Sequence, residues 1–557
     1  MSDYQDVQSR PLLETWKQDC ASFDIGVRVT DTTSVVTALE NIAQALAQNN
    51  DTRLHFGLDP SLWADLRKLW RDLARTQLTF WDGDDEESDD SKSKEKHLRT
   101  VCASLAKFTR NLVAGVPENQ TRAFENEPEI RRLLHYHTSW SAMEDDEPVP
   151  VARMLAQTLS NMVTTNDPLM SRLWETYMNL PEDQVVLIRL LGSPDPRTIL
   201  TVLIFIQNCI HGSRKRITML SRTTVGARLC ISLLDVMLKL YDAEESSQAA
   251  QAFDVGYDIL SHLIEHGLVP DLYGKFTIPD EIVAPHQTTL LKIVDSYLQS
   301  AQMNATSPAT PGIIKVHAKL SPMLAQCFFD LSAYARKAVE KALGPPDQRS
   351  APTDAQPPPP AELDVMLPKV CEALVLVTQC IVTITLEADQ AKDHQTQDLT
   401  SEQDLKAFFN EAHSSDGGLV ESLIDLLRLF DLFLPRIQFG KPVKNLPSAQ
   451  ETPTQQSTAD PTGFQYLKRD LVRLLGILCH EIKAVQDLVR ERGGIQIVMN
   501  LCVVDERNPY LREHAIFTLH SLLKDNRENQ AVVDAIKPIG EWDENGVLKD
   551  TPRAVRK

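Results

Sequence analysis

The chain has 557 residues, a formal net charge of −20 and a sequence pI near 5.2. That balance excludes nucleic acid as the principal ligand, because phosphate contacts need clustered Lys and Arg, and the run Arg214-Lys215-Arg216 is too short to supply them. The length exceeds one ordinary core unless that core grows lengthwise as a solenoid. Nine scattered cysteines without a CxxC pair point to reduced, buried thiols rather than to disulfides or zinc ligands.

Met1-Ser2-Asp3-Tyr4 opens without a basic or an apolar stretch, so no secretory signal is expected and the protein is placed in the cytoplasm. Helical periodicity then dominates, and no alternating strand-length run is bounded by hairpin turns. The expected fold is all-α, an armadillo- or HEAT-like helical repeat solenoid with disordered linkers. Residues 1–343 are read as N-terminal repeats, interrupted at 82–96 by an acidic, then lysine-rich loop, with a new helix from about His97. Residues 344–360, which include Pro357–Pro360, read as a linker and 361–438 as a middle helical segment. Residues 439–462 read as a polar linker, 463–540 as a C-terminal helical domain and 541–557 as a polar tail. The most membrane-like stretch, Ala373–Leu386, contains Thr378 and Gln379. It falls short of the ~18–20 apolar residues of a span, so it is expected to be a core helix without membrane insertion.

The C-terminal domain repeats itself. Laying Arg469–Val489 over Glu513–Val533 brings Gln486 onto Gln530, 44 residues on, and Leu471, Leu475 and Leu478 onto Ala515, Leu519 and Leu522. A helical period of about 40–47 residues is that of armadillo and HEAT units, which bury their faces only by stacking. The same template fits around Leu105–Val113, Leu155–Val163 and Val202–Ile210, and the first of these is followed by Glu118-Asn119-Gln120, matching Glu528-Asn529-Gln530. Asn111, Asn161 and Asn208 share one template position, where an amide offers a donor and an acceptor to an extended peptide. Together with Arg469, Arg473 and Arg512 they are the candidate partner-binding residues.

Catalytic patterns are weak. His262-Leu263-Ile264-Glu265-His266 has the spacing of an inverted zinc-peptidase motif, with Glu265 as base. Its neighbours Ile259, Leu260, Leu263 and Ile264 form an ordinary core stripe, and no third ligand stands out. His135-Tyr136-His137 is too tight for two ligands on one helix face. No phosphate-cradling loop, dinucleotide fingerprint or nucleophile elbow is present, and the dispersed methionines do not suit copper carriage. No enzyme activity and no cofactor are expected.

Phe464–Gly476, Val485–Ile495, Asn508–Ile516 and Glu528-Asn529-Gln530, in that order and spacing, are similar to the C-terminal domain of the ataxin-10 family. Arg110-Asn111-Leu112 and Glu118-Asn119-Gln120 resemble an N-terminal feature of the same family. Ile477 and Ser521 stand where that family commonly has Asn, and His520 where it has Arg. The resemblance implies an intracellular protein–protein interaction scaffold connected with cytokinesis, acting through unidentified protein partners, with self-association admitted. A copper-transport name carried by some fungal relatives implies an alternative, an adaptor in copper homeostasis or membrane trafficking that acts indirectly on a transporter. A metallopeptidase using His262, Glu265 and His266 is the distant third reading.

Overall fold

A computed structural model describes residues 10–79, 89–139, 146–304, 311–344, 364–394, 404–438, 441–442, 462–535, 540–542 and 548–550. The contacts divide the chain into two units, Met1–Phe276 and Thr277–Lys557. Both are built from stacked helices in repeated order, so the chain is an all-α, armadillo-type repeat protein.

The first unit contains α1 (Thr33–Gln48), α2 (Asn50–Gly57), α3 (Pro60–Leu78), α4 (Asp89–Val113), α5 (Pro117–Ala123), α6 (Glu127–His137) and α7 (Val149–Val163). It continues with α8 (Asp167–Met178), α9 (Val186–Leu191), α10 (Pro196–Ile210), α11 (Arg214–Arg222), α12 (Thr224–Leu240), α13 (Gln248–Glu265) and α14 (Val269–Lys275). Helices α1, α4, α7, α10 and α13 pack in succession as an inner ladder, while α3, α6, α9 and α12 form a second row. The core lies between these rows, with Leu105, Leu155, Val202 and Leu260 buried at successive rungs.

The second unit contains α15 (Pro285–Asn304), α16 (Pro311–Leu343), α17 (Leu367–His394), α18 (Leu405–Glu411) and α19 (Leu419–Phe433). It ends with α20 (Leu467–Cys479), α21 (Lys483–Glu491), α22 (Gly494–Leu501), α23 (Leu511–Leu523) and α24 (Arg527–Asp534). Its ladder is α17–α20–α23, with α15 and α16 against α17.

Backbone geometry establishes the repeat. Two residues beyond the end of a ladder helix the chain turns through a left-handed residue: Gly115, Thr165, Gly212, Gly267, Glu481 and Asp525, with φ between 54° and 72°. Such a residue ends a helix sharply. The N-caps of α20 and α23, Tyr466 and Tyr510, are also left-handed and lie 44 residues apart. The repeat at α13, which the apolar template does not reach, is identified by the same turn. Elsewhere polar caps set the starts: Asp195 accepts from the N–H groups of Arg197 and Thr198 ahead of Pro196 at the first turn of α10.

Four expectations need correction. Helix α4 begins at Asp89, not near His97, so the Lys92–Lys96 run belongs to a helix; the i,i+4 pair Glu95–Arg99 at 3.5 Å supports that turn. Residues 82–88 of the expected loop lie outside the described residues. The unit boundary falls at Phe276/Thr277 rather than at the proline-rich stretch, because α16 packs along α17 and α19. Three two-stranded antiparallel ladders also occur, His413–Ser414 with Gly417–Gly418, Ile437–Gln438 with Lys441–Pro442, and Gly540–Trp542 with Leu548–Asp550. The remaining residues of the expected linkers, 345–360, 439–440 and 443–461, are outside the described set. The apolar run is longer than the sequence reading: α17 contains a stretch, Leu367–Asp389, long and apolar enough to cross a membrane, and 83% of its apolar window is buried within the structure.

Candidate protein-interaction surface

The Glu-Asn-Gln motif is an inter-repeat clamp. A helix leaves its last carbonyls without intrahelical donors, and here the next short helix supplies them. Asn119 Nδ2 donates to Leu112 O and Asn529 Nδ2 to the equivalent Leu522 O, at 2.9 and 2.8 Å. Gln120 Nε2 donates to Asn161 O at 2.8 Å, and Gln486 Nε2 to the equivalent Ser521 O at 2.9 Å, each reaching the next ladder helix. Asn166 and Asn526 close the two clamps by donating to the Gln120 and Gln486 carbonyls, both at 3.1 Å. In the third repeat Arg216 takes over the Asn119 role: its Nε donates to Cys209 O and its Nη1 pairs with Asp167 at 2.6 Å. Of the basic run Arg214-Lys215-Arg216, only Arg216 is buried; Arg214 and Lys215 are exposed, and Lys215 pairs with Glu175 at the surface.

The ladder threonines repeat the pattern. Thr158 Oγ1 donates to Ala106 O at 2.9 Å and Thr518 Oγ1 to Val472 O at 2.8 Å. A β-carbon at Gly476 would overlap Thr518 Oγ1, so glycine there lets α20 and α23 approach.

The asparagine column behaves similarly in part. Asn111 Nδ2 donates to Ala43 O at 2.8 Å, and its Oδ1 accepts from Arg110 Nε at 3.0 Å. Asn161 Nδ2 donates to Arg110 O at 3.3 Å. Both amides therefore tie a ladder helix to its predecessor, which accounts for their being set aside at one template position. Asn208 is half-buried, and its amide makes no hydrogen bond among the described residues. The charged neighbours of this column are also paired across rungs: Lys107 with Glu40 at 2.5 Å, Arg110 with Gln157 at 2.6 Å and Arg153 with Asp195 at 2.7 Å.

In the second unit the ladder face is left open. A groove of about 420 Å³ crosses α17, α20 and α23, lined by Leu386, Asp389, Arg473, Ile477, His514 and Phe517 among others. Arg473 is half-buried, and its guanidinium has no ion pair or hydrogen bond among the described residues; burial, the largest influence, lowers its pKa. His514 is likewise held below the usual histidine range, by burial first and then by Arg473 and Arg469. Phe517 is 70% exposed. Arg469 stands apart, folded over the Tyr466 ring at 4.3 Å and paired with Asp470 at 2.7 Å. Arg512 is exposed at the start of α23. Of the six sequence candidates, Arg473 alone lines this groove. Phe517 and His514 were missed, although Phe517 lies 44 residues after Arg473 and so occupies its repeat position.

Other polar residues of the C-terminal blocks hold the domain together. Fully buried Lys468 lies 3.5 Å from Asp505 and 3.6 Å from Asp431, and donates to Leu434 O at 3.1 Å. Asp505 also accepts from Ile437 N–H, Arg507 N–H and Asn508 Nδ2, and Asn508 Oδ1 accepts from Lys468 N–H. At the peptidase-like motif, His266 Nδ1 lies 2.8 Å from His262 O, at the end of α13. Among the described residues no group of three or more His, Cys, Asp or Glu side chains gathers as a metal site.

Fold and surface define an armadillo-type helical-repeat protein with a terminal groove. A family model described as "Spinocerebellar ataxia type 10 protein domain" matches residues 467–555. Over this part the chain is similar to the "Ataxin-10 homolog" of Dictyostelium discoideum, 41% identical over 83 residues, 15% of this chain and 14% of the relative. It is also similar to "Ataxin-10" of Xenopus tropicalis, 33% identical over 125 residues, 22% of this chain and 24% of that one. The C-terminal segment therefore belongs to the ataxin-10 family. The matched stretches span 14% to 35% of the lengths of the curated relatives. Among solved structures, SYS-1 aligns over 93% of this chain and 86% of its own, at 12% identity and a TM-score of 0.32. Uso1-2 aligns over 97% and 88%, at 12% identity and a TM-score of 0.30. Superpositions this loose add nothing to the fold read from the helices themselves.

Proposed function

We propose that the chain is a non-enzymatic scaffold that binds protein partners across the α17–α20–α23 face. The observation that carries this reading is the contrast between ladders. Polar groups of the first ladder are largely spent between helices, whereas Arg473 and Phe517 are held open on the second. Unpaired polar groups and exposed aromatic surface together are the usual composition of an interaction surface. The ataxin-10 likeness supports a cytoplasmic role connected with cell division. Proximity labelling in the native cell, comparing the full chain with one lacking Phe464–Lys557, tests the reading. Loss of the main labelled partners is expected. Retention of all of them would remove the C-terminal unit as the interaction module, and a membrane transporter as dominant partner would favour the copper-homeostasis adaptor.

A further inference from the structure

The groove has a charge logic of its own. Its lining acid, Asp389, is paired with Lys406 at 2.8 Å. Nearby Asp470 is held by Arg469 and accepts from Gln379 Nε2 at 2.9 Å. The local carboxylates thus have partners of their own; Asp470 attracts Arg473 through space, but the Arg473 guanidinium makes no ion pair or hydrogen bond among the described residues. A half-buried guanidinium has already lost part of its hydration, and its donor fork matches a carboxylate in two parallel hydrogen bonds. Around it, Leu386, Ile477 and the exposed Phe517 ring supply an apolar wall, while His514 adds a half-buried ring whose pKa is lowered by burial first. Three helices packed about 10 Å apart give a path of about 20 Å, the span of roughly six extended residues. That length and openness suit a peptide segment better than a small enclosed ligand.

We propose that the α17–α20–α23 groove takes an extended acidic peptide of a partner protein, one carboxylate forked onto Arg473 and a neighbouring apolar side chain seated against Phe517 and Ile477. This rests on the scaffold reading and names its ligand chemistry.

The test is fluorescence anisotropy on the full chain with short fluorescein-labelled peptides of alternating Asp and Leu, alternating Asn and Leu, and alternating Asp and Ser. The Asp/Leu peptide is expected to bind, and each of the other two to bind about tenfold or more weakly. Arg473→Met, which keeps the side-chain stem, and Phe517→Ser, at an exposed position, are each expected to weaken the Asp/Leu peptide by a similar factor. Lys524→Gln removes an exposed cation outside the groove lining and is expected to leave binding unchanged. Circular dichroism melts confirm that the variants fold. Equal binding of the Asp/Leu and Asn/Leu peptides, no loss on Arg473→Met, equal loss on Lys524→Gln, or no binding by any peptide would each overturn the proposal. Proximity labelling with Arg473→Met and Phe517→Ser in the full chain separates the two levels. Lost partners with no acidic-peptide binding would overturn the ligand chemistry alone, whereas unchanged partners would overturn the groove as an interaction surface.

Discussion

Replacing Gln486 by alanine removes the clamp between the last two ladder helices. Gln486 is 3% exposed and its amide donates to Ser521 O at 2.9 Å while accepting from Asn526 Nδ2 at 3.1 Å. Asn526 retains a bond to Asp487 at 3.0 Å, so the larger loss falls on the Ser521 carbonyl near the end of α23. An orphaned buried acceptor costs about 1–3 kcal/mol and the second bond about 1 kcal/mol, giving roughly 2–4 kcal/mol. At about 1.4 kcal/mol per tenfold, amide hydrogen exchange in α20–α24 of the full chain should accelerate by about 30- to 700-fold. Arg512→Ala, at an exposed site on α23, should stay within about 0.5 kcal/mol of wild type. If Gln486→Ala exchanged no faster than Arg512→Ala, the clamp would not hold the repeats together.

Lys468→Met should destabilise the same segment by about 3–5 kcal/mol, because it leaves Asp505 and Asp431 without their buried counter-charge. Adding Asp505→Asn should restore part of that loss in the same exchange measurement. In the first unit, burial, with Arg99 adding to it, pushes His137 down to about 4. Between its unfolded value near 6.5 and that folded value the unfolded chain binds a proton that the folded one does not, so stability falls as pH falls. The full effect is about 3 kcal/mol and most of it lies between pH 6 and pH 4. Urea unfolding of the full chain at pH 7 and pH 5 should show this loss in wild type and a smaller one in His137→Phe; equal losses would refute it.

The helical class and the stacked repeats were legible because a ladder helix must be apolar on adjoining faces, as Leu471, Leu475 and Leu478 are, and that spacing survives in one dimension. The Glu-Asn-Gln motif was legible as a repeat marker, yet its task was not, since capping a carbonyl seven residues back depends on how the chain turns. Arg216 shows the limit: a different side chain does the work of Asn119, so residue identity alone hides the equivalence. The asparagine column was found, but only tertiary contacts reveal that Asn111 and Asn161 spend their amides on Ala43 and Arg110. Arg473 was among the candidates. Its distinction from Arg469 came from neighbours remote in sequence, Leu386 on one side and Phe517 on the other. The unit boundary was hidden for the same reason, because the proline-rich composition after α16 does not report which helices that helix packs on.

Site-specific photocrosslinking tests the groove most directly. A benzoylphenylalanine placed at Phe517 should capture a protein partner in the cell, while the same group at Leu432, 59% exposed on α19 of the same unit, should not. Equal capture at both positions, or capture at Leu432 alone, would contradict a scaffold that works through the α17–α20–α23 face.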